Sequence, residues 1–281
     1  MTKENPMKKH FSTILLIILF LIGLSLLLYP TFSDWWNSFH QTSAIVSYEK
    51  ATAALAPADF SEIFDKAQEY NRQLAQTPFP LMYYDQVEGY DTILDLTGTG
   101  IMGYLEVPKI QLSLPIYHGT AESVLQVAVG HLQGSSLPVG GEGTHSILSA
   151  HRGLPSARLF TDLDMLQTGD TFTVTVLDRL MTYEIDQILI VEPKDVEALY
   201  VQDGMDLCTL VTCTPYGVNS HRLLVRGHRI DNTEDNPTVR ITGDAVRIAP
   251  ILVAPFMAAP MLLILFVALM IPKRKPRKEA N

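Results

Sequence analysis

The sequence predicts a mainly β domain, closed or sandwiched, entered through helices and held between two apolar segments. Three observations predict it. Short runs that alternate apolar and polar residues recur from Ile101 to Ile230, with Gly and Pro between them. Helical periodicity is confined to the stretch before them, and an uncharged apolar segment lies toward each end of the chain. Many short strands with few helices favour closure, because a closed sheet has no exposed edge.

The 281 residues are 47% hydrophobic and only 18% charged, and the apolar excess is concentrated in those two segments. Eight of the 21 Lys and Arg residues lie in the terminal tails, as do two of the 30 acidic residues, so the body carries 13 basic against 28 acidic side chains. A body that acidic is a poor nucleic-acid binder, since affinity for phosphate comes from Lys and Arg. Two cysteines exclude a disulfide-stapled module or a cysteine-rich zinc module, and neither metal nor cofactor is expected.

Taken in order, residues 1–10 form a basic tail, and 11–29 (FSTILLIILFLIGLSLLLY) carry no charge. At 1.5 Å per residue such a run roughly spans a hydrocarbon core of about 30 Å. A cleaved signal peptide is the alternative, but its apolar core is shorter, about 7–15 residues. Trp35 and Trp36 then suit the interface. Residues 31–100 read as an outward-facing helical region: Phe60, Ile63, Phe64, Ala67 and Leu74 form an apolar stripe from Ala58 to Gln76, with Asp59 as N-cap. Thr77 to Gly100 is irregular, a length of loop that often serves as a lid. The β domain occupies 101–230, with strands expected at 104–107, 171–176, 182–191, 207–214 and 222–230. After a linker at 231–247, residues 248–271 form a second uncharged segment interrupted by Pro250, Pro255 and Pro260, and 272–281 form a basic tail. Basic residues before one span and after the other place both ends in the cytoplasm and the body outside.

Cys213 lies at the end of a strand and precedes the turn signal Thr214-Pro-Tyr-Gly217. A lone strand cysteine is ordinarily a small buried hydrophobe, and Cys208 is read that way. If the last two strands form a hairpin centred between Gly217 and Val218, paired residues sum to 435 and Cys213 faces Arg222. A permanently cationic fork beside the sulfur favours thiolate, or donates to a substrate carbonyl or a developing oxyanion. Cysteine acyl chemistry also needs a proton donor, usually His. Of eight histidines, His151 stands where a strand runs into the Gly/Pro loop Arg152-Gly-Leu-Pro155, although spacing alone does not single it out.

The strings Tyr117-His-Gly-Thr120, Gly130-His-Leu-Gln-Gly-Ser-Ser-Leu-Pro-Val-Gly140, Ser149-Ala-His-Arg-Gly-Leu-Pro-Ser156, Leu159-Phe-Thr-Asp-Leu163, Thr209-Leu-Val-Thr-Cys-Thr-Pro-Tyr-Gly217 and His221-Arg-Leu-Leu-Val-Arg-Gly227 follow one another through residues 101–230. In this order they closely resemble the class C, pilus-assembling sortases. The resemblance implies an eight-stranded sortase β-barrel with two terminal transmembrane helices. It also implies His151 as catalytic histidine, Cys213 as nucleophile and Arg222 as catalytic arginine. The implied reaction is transpeptidation: the thiol cleaves an LPXTG-like sorting signal, and a pilin lysine amine takes the acyl group. A housekeeping sortase acting on a cell-wall precursor and a non-catalytic scaffold that binds sorting signals are the competing readings. A papain-like protease would place Cys before His, the reverse of the order here. Class C sortases carry an Asp-Pro-Phe or Asp-Pro-Trp lid motif, and this chain has Thr77, Pro78 and Phe79 at the corresponding place, without the carboxylate. The segment is thus a lid lacking its acidic anchor, or a plain connector.

Overall fold

The structure is a computed structural model and describes residues 6–232. Two helices precede a closed barrel: α1 (Pro6–Ala53), α2 (Pro57–Ala75), β1 (Ile101–Val107), β2 (Leu112–His118), a one-turn α3 (Glu122–Leu125), β3 (Val129–His131), β4 (Thr144–Ser149), β5 (Thr171–Val176), β6 (Arg179–Val191), β7 (Asp206–Thr214) and β8 (His221–Ile230). The strand order is β1-β2-β3-β4-β7-β8-β6-β5, and β5 pairs back onto β1. This is the eight-stranded closed sheet expected. The second apolar segment, 248–271, lies outside the described residues.

α1 differs from expectation. It was expected to end near Tyr29, yet it continues through Pro30 to Ala53. A proline costs a helix one hydrogen bond and kinks it, but does not end it where packing supports the following turns. Here the support is tertiary. Asp34 Oδ1 accepts from Arg158 N at 2.8 Å, Asn37 Nδ2 donates to Ser156 O at 2.8 Å, and Gln41 Nε2 donates to Val127 O at 2.7 Å. Farther along, Tyr48 is fully buried; its hydroxyl donates to Met102 O and accepts from Leu177 N, both at 2.8 Å. N-terminal to these contacts, the helix has an 18-residue window of mean hydropathy 2.6, none of it buried.

The stripe on α2 packs as expected, with Phe64, Ala67 and Leu74 buried and Phe60 and Ile63 partly so. Its start differs. The helix begins at Pro57, where a missing N–H costs nothing, and Asp59 sits in the first turn, accepting from Ala56 N at 2.9 Å instead of standing outside as the cap. Asn71 clamps Leu137, donating to its carbonyl at 3.1 Å and accepting from its N–H at 2.7 Å.

Side chains alternate across the wall of β7 and β8, whereas β1 and β6 each carry an irregularity, at Ile101–Gly103 and Ile185–Gln187. On β7 Cys208 and Leu210 join the core, as do Leu148 on β4 and Leu223 and Val225 on β8. The core is tight beside Gly227, where an added Cβ would lie 2.8 Å from the Phe172 ring and 2.9 Å from Tyr183 Cβ. Phe172 and Tyr183 stack there at 5.5 Å between centroids. Full burial of one such ring stabilises the fold by about 1.5–3 kcal/mol.

Candidate active site

Cys213 pairs with Arg222 across β7 and β8, in a register where partners sum to 435 from Leu207↔His228 to Thr214↔His221. The turn chemistry had placed that register correctly. On the other side β7 runs parallel to β4, with Ser149 opposite Val211. The ladder continues past the end of β4: Ala150 N donates to Val211 O at 3.2 Å, and Thr212 Oγ1 donates to Ala150 O at 2.8 Å. The next step in the same offset brings His151 level with Cys213. Leu148 and Ala150 point inward, as do Cys208 and Leu210 on β7 and Leu223 on β8. By alternation Cys213 and Arg222 lie on the outer wall of neighbouring strands about 4.8 Å apart, and His151 follows two residues past the end of β4, the strand on the other side of β7.

Cys213 is half-buried, whereas Cys208 is 1% exposed and burial pushes its thiol well up, which suppresses thiolate. Arg222 donates from Nη1 to Asn219 O at 3.3 Å and His221 O at 3.1 Å, so the β7–β8 connection steadies the guanidinium. Its other nitrogens make no hydrogen bond among the described residues. That leaves donors for a carbonyl beside Cys213. His151 Nε2 lies 3.2 and 3.3 Å from the two carboxylate oxygens of Glu122 on α3. Donors from Gln126 and His151 hold the Glu122 carboxyl below the usual carboxylate range.

Two contributors were not legible in the sequence. Glu122 is 29 positions from His151, and a Glu at the start of a short helix gives no local sign of its partner. Arg152 follows His151 and reaches the residue after Cys213, with Nη1 3.4 Å from Thr214 Oγ1, while Nη2 pairs with Asp164. Its side chain is 9% exposed, and its Nε is buried with no hydrogen-bond partner among the described residues. Gly153 also holds the two loops together: its φ is +77°, and an added Cβ would stand 2.7 Å from the Tyr216 ring. The loop after the histidine therefore rests on the loop after the cysteine.

Thr77, Pro78 and Phe79 are not joined to this row by any hydrogen bond among the described residues. Thr77 Oγ1 donates to Gln73 O at 3.2 Å, at the end of its own helix. Phe79 has φ +52° and is 64% exposed, so its ring is not buried against the barrel. The rest of the segment is firmly packed. Val87, Tyr90 and Leu94 are buried, and Tyr90 Oη accepts from Gly119 N at 2.9 Å and lies 3.0 Å from His131 Nδ1. Among the described residues, no three His, Cys, Asp or Glu side chains are grouped to hold a metal ion.

Comparison with known proteins bears directly on this arrangement. Residues 105–230 match the sortase domain. The chain belongs to the sortase family of cysteine transpeptidases, whose fold it carries. Within that family it is a class C sortase. Its fold is similar to that of sortase C1 from Streptococcus agalactiae, with 49% identity, a TM-score of 0.62 and coverage of 68% of this chain and 100% of that one. Sortase C-1 from Streptococcus pneumoniae is 42% identical with a TM-score of 0.61, covering 68% of this chain and 100% of that one. Sortase D of Bacillus subtilis (strain 168) is 32% identical over 131 residues, which are 46% of this chain and 63% of that protein. The chain thus matches less than two thirds of that relative's length.

Proposed function

We propose that the protein is a membrane-anchored transpeptidase that cleaves an LPXTG-like sorting signal and joins the acyl group to a lysine amine of a pilin subunit. The observation that supports this reading is the pairing of Cys213 with Arg222 in the β7–β8 register, with His151 two residues past the end of the β4 strand that pairs with β7. Cys213 Sγ attacks the Thr–Gly carbonyl, forming the thioester as the C–N bond breaks, and His151 gives its proton to the departing amine. The free donors of Arg222 face the developing oxyanion or the neighbouring substrate carbonyls. In the second half the lysine amine attacks the thioester, His151 takes up the amine's proton, and the C–S bond breaks to release Cys213 as thiolate. The pilin acceptor is favoured over a cell-wall precursor by identity. Sortase C1 of Streptococcus agalactiae is 49% identical, against 30% over 117 residues for sortase A of the same species (serotype III, strain NEM316). A similar sortase C of Streptococcus pneumoniae, 42% identical, was studied for pilin substrate specificity.

The apolar stretch of α1 supports an N-terminal anchor. With the basic tails, it supports a topology in which 11–29 and 248–271 both span, the body lies outside and both ends are cytoplasmic. Mass spectrometry of products from a sorting peptide and candidate amines tests the reaction. A lysine-linked product supports polymerisation, a wall-precursor adduct the housekeeping role, and no thioacyl adduct on Cys213 a binding scaffold. Protease added to protoplasts tests the topology, since a tag after Asn281 stays protected only if the second segment spans.

A further inference from the structure

The contacts along α1 run through the barrel from one end to the other in order. Asp34 and Asn37 meet Arg158 and Ser156, in the loop that follows His151. Gln41 meets Val127, just before β3. Tyr48 meets Met102 and Leu177, at the start of β1 and in the β5–β6 turn. The strand directions show that these are opposite ends. β4 and β7 run in parallel and finish at Ser149 and Thr214, while β8 starts from that same end and β6 finishes there, with Val191 opposite Arg222. The β5–β6 turn at Leu177 and Asp178 closes the other end, where Val176 pairs with Arg179. From Asp34 to Tyr48 the helix rises about 21 Å at 1.5 Å per residue, comparable with the height of tilted strands of this length.

The same helix enters from the apolar stretch, in which Leu26 and Leu27 are 71% and 74% exposed and Phe32, Trp35 and Trp36 follow as exposed aromatics. Asp34 stands five residues beyond Tyr29, about 7.5 Å along the axis. A kink at Pro30 re-aims the barrel but does not turn it over. We infer that the end of the barrel carrying His151, Cys213 and Arg222 faces the bilayer surface, at headgroup level, and that the β5–β6 turn faces away from it. The partner of this surface is the lipid bilayer itself. Tyr216 and Val218, 60% and 69% exposed on the β7–β8 connection, stand on this side. A site so oriented takes the stretch of a polypeptide adjoining its membrane segment and is remote from chains held farther out. The inference rests on the anchoring role of residues 11–29 proposed above.

Depth-dependent quenching tests it. Leu26→Cys, Val218→Cys and Asp178→Cys, each in full-length Cys213→Ala protein, are labelled with a small fluorophore and reconstituted in phosphatidylcholine–phosphatidylglycerol vesicles. The quenchers are lipids spin-labelled on the headgroup or the acyl chain. We expect strong acyl-chain quenching at Leu26→Cys, and headgroup quenching at Val218→Cys at least three times that at Asp178→Cys. Quenched Leu26→Cys with equal or greater headgroup quenching at Asp178→Cys overturns the orientation and leaves the anchor standing. Absent quenching at Leu26→Cys overturns the anchor and the orientation with it.

Discussion

His151 Nε2 lies 3.2 and 3.3 Å from the two carboxylate oxygens of Glu122, a residue on the short helix between β2 and β3. This gives the row of three a fourth, charged member that orients the imidazole. Both groups are partly or largely in water, with side-chain exposures of 26% and 67%, so the contribution is modest and screened by salt. Glu122→Gln is expected to slow thioacyl formation about two- to five-fold. Because its carboxyl is held below the usual range, Glu122 stays ionised and its contribution persists above that range, fading as pH falls through the lowered value. Rates for both proteins at low and high salt check this: 0.5 M NaCl should bring the wild type toward the variant. An unchanged ratio of the two rates would make Glu122 a bystander.

Cys213→Ala should abolish thioacyl formation with the fold retained, and Cys208→Ala should change the rate little. Cys208 is sealed in the barrel core, and truncating it costs stability, not chemistry. Intact-mass detection of the adduct decides. Turnover by the Cys213→Ala protein would remove the nucleophile from the proposed mechanism.

Arg222→Lys should be nearly as damaging as Arg222→Ala. The side chain is braced from Nη1 by two backbone carbonyls while further planar donors remain for a substrate carbonyl, and an ammonium cannot do both in that geometry. Losing one oriented oxyanion donor typically costs about 100- to 1000-fold in rate. Acylation at saturating peptide separates the roles. Near-wild-type acylation by the lysine variant would leave only electrostatic activation of the thiol.

At Phe79 the expectation is the reverse of a lid. Its ring is exposed, so Phe79→Ala should leave the rate at which a thiol reagent modifies Cys213 within about two-fold of wild type. Thr77→Asp extends the test. Slower modification in that variant would show that the missing carboxylate is what a closed segment lacks, and equal rates in all three proteins make the segment a connector.

His131 governs acid stability. It is fully buried, Nε2 donating to Ser136 O at 2.8 Å, and burial pushes its pKa from 6.5 down to about 4. The folded barrel holds the neutral ring, while the unfolded chain takes up a proton near the ordinary value. This contribution is complete above about 6.5 and is lost as pH falls toward 4, roughly 3 kcal/mol in all. Glu106 acts in the opposite sense. It is 6% exposed, and burial with Glu49 nearby raises it to about 7, so its contribution is present at low pH and is lost as pH rises from its ordinary value through 7. Urea unfolding between pH 7 and 4 should fall more steeply in Glu106→Gln and more shallowly in His131→Gln. Parallel curves for all three would refute the assignment.

The sequence disclosed the features set by local chemistry. A turn signal of fixed length fixed the pairing of Cys213 with Arg222, and alternation sent Cys208 inward. A 3.6-residue stripe placed α2. What it concealed depends on distant partners. The parallel pairing of β4 with β7 joins positions 62 apart, an offset that no turn determines, and Glu122 and Arg152 take their meaning only from it. The passage of α1 through Pro30 was hidden for the same reason. Local propensity argues for a stop there, and the bonds to Ser156, Arg158 and Val127 outweigh it.

The row across β4, β7 and β8 has a consequence for tinkering with the molecule. Spacing among its members is set by the pitch of the sheet, as the spacing of rungs is set by a ladder, and not by the lengths of the connections. The excursion between β6 and β7, 192–205, joins strands whose places are already fixed by their neighbours. Its first part, 192–199, has latitude to lengthen or shorten while the rungs stay put, whereas Tyr200 O is bonded to His145 and Met205 O accepts from Gly143 N. The connection at 215–220 has no such latitude, because it braces Arg222 and its Tyr216 rests on Gly153. Adaptation to new polypeptides is therefore open in one loop and barred in the other.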